Sequence, residues 1–479
     1  MKKHREKIEK NIDQVKQEIQ DVFTGCFDAV VRDLRDVSGR RAFAVYFDGL
    51  VNKQTIQDSI LKPLVGLCFD VEDGKTRNLE EVRQQLLWAA DVKLDADLNS
   101  IVLKCMSGDP AVFIDGCSEA LVIQTRGWQS RGISPPDTQR SIRGPKEGFT
   151  ETMLFNVAML RRKLKTPLLK TKIIHVGELT VTDVCVAYLE GIAKEDLVER
   201  VISRISAIDV KYILESGHIE QLVEDKHTTV FSTVASNEKP DVVAGKLIKG
   251  RVAIIVDGTP FVLTVPMLFT ENFQVGEDYY SRPFYANFLR LIRVLAYVVT
   301  LTLPAFFVAL VTFHQEMIPT QLLGTLIRAS EGVPFSAGVE MFILLTMYEL
   351  LREAMMRLPQ SIGSAVGLAG VFLIGEAAVG VSLIGAPSVV VAAATFITSA
   401  VVFQASDSLS ILRFLLLILG AWMGIFGVLI GLFAILAHLC TLKSFGYPYM
   451  MPLSPVNWKG MRDSVIRASS ENLLKRDGM

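Results

Sequence analysis

The strongest chemical signal in this sequence is a handful of ionisable side chains retained in its most apolar region: Glu349, Arg352, Glu353 and Glu376. On a helix, Glu349 and Arg352 are three apart and Glu349 and Glu353 four apart, so they share one face. Arg352 can neutralise one glutamate at a time. A charge at membrane depth costs roughly 2.5–3.5 kcal/mol on insertion scales unless it is paired or faces water. Two uses fit that cost. One is a water-lined ion path or gating element; the other is a structural ion pair at a membrane boundary, where Arg357 and Pro359 already lie. Glu340 precedes the apolar run and reads as interfacial. Glu376 differs, because it is flanked by apolar residues within SIGSAVGLAGVFLIGEAAVGVSLIG. A glutamate there must meet a partner, water or a proton. Gly363 and Gly367 form a small-xxx-small pair for close helix packing. That segment reads as pore-lining or as a subunit contact, the alternative being a protonated Glu376 hydrogen-bonded inside a bundle.

The elements that must position these residues are apolar runs. A spanning helix needs about 20 mostly apolar residues. Leu289–Phe313, Ser361–Leu383, Pro387–Phe403 and Ile411–Leu439 qualify, and Gly338–Met356 is apolar enough to enter a membrane despite its charges. Arg282, Arg290 and Arg293 flank the first run, and the tail carries Lys459, Arg462, Arg467, Lys475 and Arg476. The positive-inside rule places both on the cytosolic side. That requires an even number of crossings, so five runs are one too many. The expectation is that Gly338–Met356, or the short run after Pro387, enters without crossing.

The rest of the chain is a different material. The chain has 479 residues with mean hydropathy +0.35, and its 21% of charged residues crowd the first 280 positions. Its net charge of −1 points to no nucleic-acid partner. The six cysteines, Cys26, Cys68, Cys105, Cys117, Cys185 and Cys440, form no CxxC pair and read as reduced, mostly buried thiols. The basic start lacks an apolar stretch behind it, so no cleavable signal is expected. Residues 5–37 read as one amphipathic helix, and 55–66 and 78–90 as further helices. AFAVYFD, AVFIDG, VAIIVDG and FVLTV read as strands beside turns. The expected fold is a mixed α/β cytosolic region of two subdomains, 1–165 and 166–285. A helical transmembrane bundle at 286–442 and a cytosolic tail at 443–479 follow. The six histidines are scattered, and no HExxH, GxSxG, Walker A or GxGxxG pattern is present. No enzymatic activity, metal or cofactor is expected.

One group of motifs resembles a known family. Ile142-Arg143-Gly144-Pro145-Lys146 followed by Gly148-Phe149-Thr150-Glu151 is similar to the signature of GerA-type spore germination proteins, the A subunits of nutrient germinant receptors. Further along come Tyr188-Leu189-Glu190-Gly191, Gly250-Arg251-Val252-Ala253-Ile254, Phe313-His314-Gln315, Glu349-Leu350-Leu351-Arg352-Glu353-Ala354 and Ser444-Phe445-Gly446. These matches cover residues 140 to 455 in a shared order. The resemblance implies the inner membrane of a bacterial endospore, a multi-span B subunit, a C-subunit lipoprotein and assembly into a ring, a pentamer, that conducts cations when germinant binds. It also implies that Glu349, Arg352 and Glu353 hold a gate region, and that Arg143, Gly144 and Pro145 make a subunit contact. SpoVAF-type relatives share this pattern. The competing readings are a non-conducting receptor or scaffold anchored by its spans, and an accessory channel. A secondary transporter is disfavoured because no paired inverted halves are visible.

Overall fold

The structure, a computed structural model, describes residues 8–35, 39–58, 62, 71–72, 75–76, 92–124, 143–225, 228–358, 375–461, 463–464 and 466–468. It divides into two compact units: Met1–His227 with Val234–Pro266, and Thr228–Thr233 with Met267–Met479.

Unit 1 contains two five-stranded antiparallel sheets, which makes this region mixed α/β. The first is built from β1 (Ala29–Arg35), β2 (Arg41–Phe47), β3 (Val92–Asp95), β4 (Ala111–Ile114) and β5 (Ala120–Ile123), in the order β1-β2-β4-β5-β3. Strand alternation decides what each face buries. Phe43, Val45 and Phe47 face helices α1 (Ile12–Val22) and α2 (Leu98–Cys105), while Ala42 and Ala44 enter a second core with Val112 and Ile114. The long amphipathic helix expected over 5–37 is therefore shorter. α1 buries Ile12, Val15, Ile19 and Val22 as its spacing predicts, but Gly25 turns the chain at φ +77°. Residues 29–35 then pair with β2 along their whole length. Val30, Val31 and Leu34 suit either period, and the ladder decides between them. The helix expected at 78–90 lies outside the described residues.

The second sheet contains β6 (Leu169–Val176), β7 (Thr182–Leu189), β8 (Ala235–Asn237), β9 (Val252–Val256) and β10 (Val262–Val265), in the order β8-β10-β9-β7-β6. Helices α3 (Met153–Lys163) and α6 (Pro240–Ile248) cover one face with Val157, Leu160, Val243 and Leu247. Helices α4 (Glu195–Ser206) and α5 (Ser216–Val223) also pack on this sheet, burying Val201, Ile205 and Ile219. The two sheets meet where Cys26 bridges Thr171. Beside that bridge, the fully buried Arg161 of α3 forms a bidentate pair with Asp28: its Nη2 lies 2.6 Å from Oδ1, and its Nε also donates to the carboxylate. Thr171 donates to the same carboxylate at 3.0 Å, and the guanidinium lies 4.5 Å from the centre of the Phe47 ring. The cysteines described here are buried thiols, apart from the exposed Cys440. Burial pushes the Cys105 thiol up to about 12.

Unit 2 contains long apolar helices. Among the described residues, two helical stretches are long and apolar enough to cross a membrane, Pro283–Phe313 (α7) and Phe403–Thr441. α7 is followed by α8 (Thr320–Ala329), α9 (Ala337–Arg357) and α10 (Ala386–Val401). The second long stretch is not one rod. Gly424 has φ 63° and ψ −146°, which separates 406–423 (α11) from 425–441 (α12). The two halves fold back on each other. A Cβ placed on Gly420 would lie 3.1 Å from Val428, one on Gly431 would lie 2.5 Å from Leu416, and one on Gly427 would overlap the Leu419 carbonyl. In a continuous helix, residues eight apart are about 12 Å apart along the axis. The single span expected at Ile411–Leu439 is thus a helical hairpin, with each arm about 26 Å long. Hydropathy misses this because a glycine turn inside an apolar run leaves the average unchanged.

Candidate functional site

The interior of unit 2 follows the logic of a bundle in lipid, where apolar surface faces outward and small or polar residues meet between helices. On α10 the buried side chains are Ser388, Thr395 and Ser399, whereas Val390, Ile397 and Val401 are exposed. The polar positions recur at steps of seven and four, so they form one stripe. Thr398 receives a hydrogen bond from Thr300 of α7 at 2.9 Å, and Ser399 pairs with the Tyr348 hydroxyl of α9 at 2.6 Å.

This stripe ends at a charged centre. Arg413 of α11 is 1% exposed and donates to Glu349 of α9. Its guanidinium lies 4.8 Å from the Tyr348 ring centre. Arg352 approaches the other carboxylate oxygen of Glu349 at 3.1 Å, while Glu353 pairs with Arg357 at 2.7 Å and faces outward. The sequence-based expectation of one arginine shared between two glutamates is thereby redistributed: Glu349 is shared between two arginines, and Glu353 is served elsewhere. Arg413 was not among the residues singled out from sequence. Its signal was available, since a lone cation inside a long apolar run must find a carboxylate on another helix.

The other expected residues are placed as follows. Glu376 is exposed and makes no ion pair among the described residues. Gly363 and Gly367 lie outside the described residues. The glycines that do mediate close packing are Gly420, Gly424, Gly427 and Gly431, in the run GAWMGIFGVLIG. Arg143 and Gly144 are exposed and Pro145 half-buried, in a unit 1 loop. Glu147 of that loop lies 3.5 Å from Arg162 and 3.3 Å from Lys163, which anchors it to α3.

A second charged cluster sits at the start of α7. Asp278 is 1% exposed and is gripped by Arg290 at 3.0 Å and by both Nη atoms of Arg293 at 2.8 and 2.9 Å. The C-terminal segment completes it. Asp463 accepts from Tyr279 at 2.8 Å, and Arg467 donates to the carbonyls of Asp278, Tyr279 and Ser281. Arg467 and Asn287 also exchange two hydrogen bonds through the Arg467 backbone. Burial alone would push the Asp278 carboxyl up, but the bonds and charges of Arg293 and Arg290 outweigh it and hold the carboxyl below the usual carboxylate range. The folded value is depressed, so the stabilisation is complete above the unfolded value of about 3.9. It is lost as pH falls from there through the folded value. The amides of Asp463, Ser464 and Arg467 should therefore lose exchange protection as pH falls below about 3.9. Asp278→Asn should show the unprotected state at neutral pH, and a tail equally protected in that variant would refute the link.

Comparison with known proteins places the whole chain. The family described as Bacillus/Clostridium GerA spore germination protein matches residues 17–479. Spore germination protein KA of Bacillus subtilis (strain 168) is 40% identical over 464 residues, which is 96% of this chain and 84% of that protein. The uncharacterized membrane protein YfkQ of the same organism is 37% identical over 95% of this chain and 88% of its own. GerLA of Bacillus cereus is 31% identical over 98% and 95%. The crystal structure of the N-terminal domain of the A subunit of the Bacillus megaterium spore germinant receptor GerK3 aligns at 33% identity. It covers 56% of this chain and 99% of that domain, with a TM-score of 0.43.

Proposed function

Because this chain belongs to the GerA family of spore germination proteins, we propose that it is the A-type subunit of a nutrient germinant receptor that conducts cations across the endospore inner membrane. Its partners in this reading are a multi-span B subunit, a C-subunit lipoprotein and further copies of itself in a ring. The exposed Arg143-Gly144-Pro145 loop is the proposed subunit contact.

The observation that carries the reading is the centre at Glu349. Its carboxylate ties α9 to α11 through Arg413 and competes for Arg352 on its own helix. A shared carboxylate has two stable arrangements when one helix shifts, and this is how packed bundles switch. Loss of either partner leaves a charge in a low-dielectric bundle, so each state is well defined.

The path of the chain supports a multi-pass protein with both termini on the cytosolic side. α7 and α11 run in one direction: Thr300 lies at the level of Thr398, and Phe313 reaches Gly424. α9, α10 and α12 run in the other. α9 finishes at the end where α7 begins, while Gly375 lies beside Val389 at the opposite end. α12 finishes at the end where α7 begins, which puts the two flanks of the bundle on one side, as the positive-inside rule demands.

Purified full-length protein in liposomes tests the function. Cation efflux from the wild type is expected, and Arg413→Gln or Glu349→Gln should change it about tenfold or more, equivalent to a coupling of about 1.4 kcal/mol. Wild-type efflux in both variants would sink the gating role. A well-formed oligomer without efflux would favour the alternative of a non-conducting receptor or scaffold subunit.

A further inference from the structure

We infer that a monovalent cation binds between α8, α9 and α10, held by Glu340, Ser330 and the carbonyl of Ala329 in the space that Gly385 leaves open. Glu340 is only 3% exposed, so it is buried and not interfacial. Its carboxylate accepts the Gly385 backbone N–H at 2.8 Å, and among the described residues no Lys, Arg or His pairs with it. A Cβ built on Gly385 would lie 3.3 Å from Glu340 Oε2, 3.4 Å from Ser330 Oγ and 3.6 Å from Ala329 O. Three oxygens, two from the end of α8 and one from α9, thus converge beside the Gly385 backbone.

The chemistry of those oxygens decides what can occupy it. Carboxylate and carbonyl are acceptors only, and the Ser330 hydroxyl has a single proton to share between them, so a cation completes the set. Ala329 is the last residue of α8, where carbonyls lack intrahelical partners and the helix carries its negative pole. Gly385 caps the start of α10, so the Glu340 carboxylate lies at the positive pole of that helix. That pole amounts to about half a charge and does not balance a carboxylate. One carboxylate with two neutral oxygens suits a singly charged hard cation. The described residues hold no group of three or more His, Cys, Asp or Glu side chains placed to hold a metal, as a more highly charged ion would favour. Ser330 is exposed, which leaves the space reachable. Arg328 and Glu331 beside it are both exposed and offset each other. The inference stands apart from the conduction proposed above, because a bundle that does not conduct can still hold an ion here.

Thermal unfolding of the full-length protein in detergent, with KCl or NaCl replacing choline chloride at constant ionic strength, tests the site. A saturable rise of a few degrees is expected with the small cation. Glu340→Gln should abolish that rise, and Glu376→Gln, at an exposed position, should keep it. Gly385→Ala supplies a second route if Glu340→Gln does not fold. At φ −71° and ψ 138° alanine is allowed, and its methyl would fill the space while the carboxylate remains. A rise that persists in Gly385→Ala would overturn the proposal. So would a wild type that responds to pH and not to the cation, since Glu340 would then hold a proton.

Discussion

Gly424→Val should abolish the folded state of the bundle or lower its unfolding temperature by many degrees. The glycine sits at φ 63° and ψ −146°, a region that costs other residues about 1–3 kcal/mol. A Cβ there would also lie 2.8 Å from the His314 ring and 3.0 Å from Phe313. The same turn closes the hairpin of α11 on α12, so strain at one residue is transmitted to every contact between the arms. Cys440 gives a topological readout because it is exposed near the end of α12. With Cys68 replaced by serine, the topology proposed above has a membrane-impermeant maleimide reach Cys440 from the side on which α7 begins. If valine straightens the hairpin, Cys440 moves to the opposite end and its labelling side reverses. Unchanged stability and labelling in Gly424→Val would show that the turn is not required.

Asp28→Ala should cost about 3–5 kcal/mol, because it leaves the Arg161 guanidinium buried without its counter-charge. Arg161 and Asp28 are 0% and 1% exposed. Thr171 Oγ1 and the backbone carbonyl of Leu169, which Arg161 reaches at 3.3 Å, are neutral and cannot replace a carboxylate. Asp28 and Arg161 come from the two sheets' subdomains, so the damage should fall on the junction at Cys26 and Thr171. Loss of amide-exchange protection in β1 and β6 of the full-length protein is the expected signature. The double variant Asp28→Leu with Arg161→Met should recover much of the loss, since a buried pair replaced by apolar residues is often close to neutral. A single Asp28→Ala as stable as the wild type would mean that water reaches Arg161.

Much of unit 1 was legible locally. AFAVYFD, AVFIDG and VAIIVDG became β2, β4 and β9 because alternation and turn residues agree over short distances. The helix that failed over 29–35 failed for the converse reason, since strand pairing with β2 outweighs a helical spacing that ends at a glycine. In unit 2, Glu349 and Arg352 were found from spacing on one helix. Arg413 was not, because 64 residues separate it from Glu349.

The sequence by itself determined the division into a charged α/β region and an apolar helical one, the family, and the few ionisable groups that the apolar region retains. Those properties follow from composition, period and motif order, which are local. The tertiary structure alone decided which partners those groups meet. It set Glu349 against Arg413, Asp28 against Arg161, and Glu340 against the carbonyl end of α8. It also decided that the run around Gly424 folds back. Partner choice of this kind depends on chain segments far apart in sequence, and a helical average registers neither a single glycine's backbone angle nor the direction in which the next arm runs.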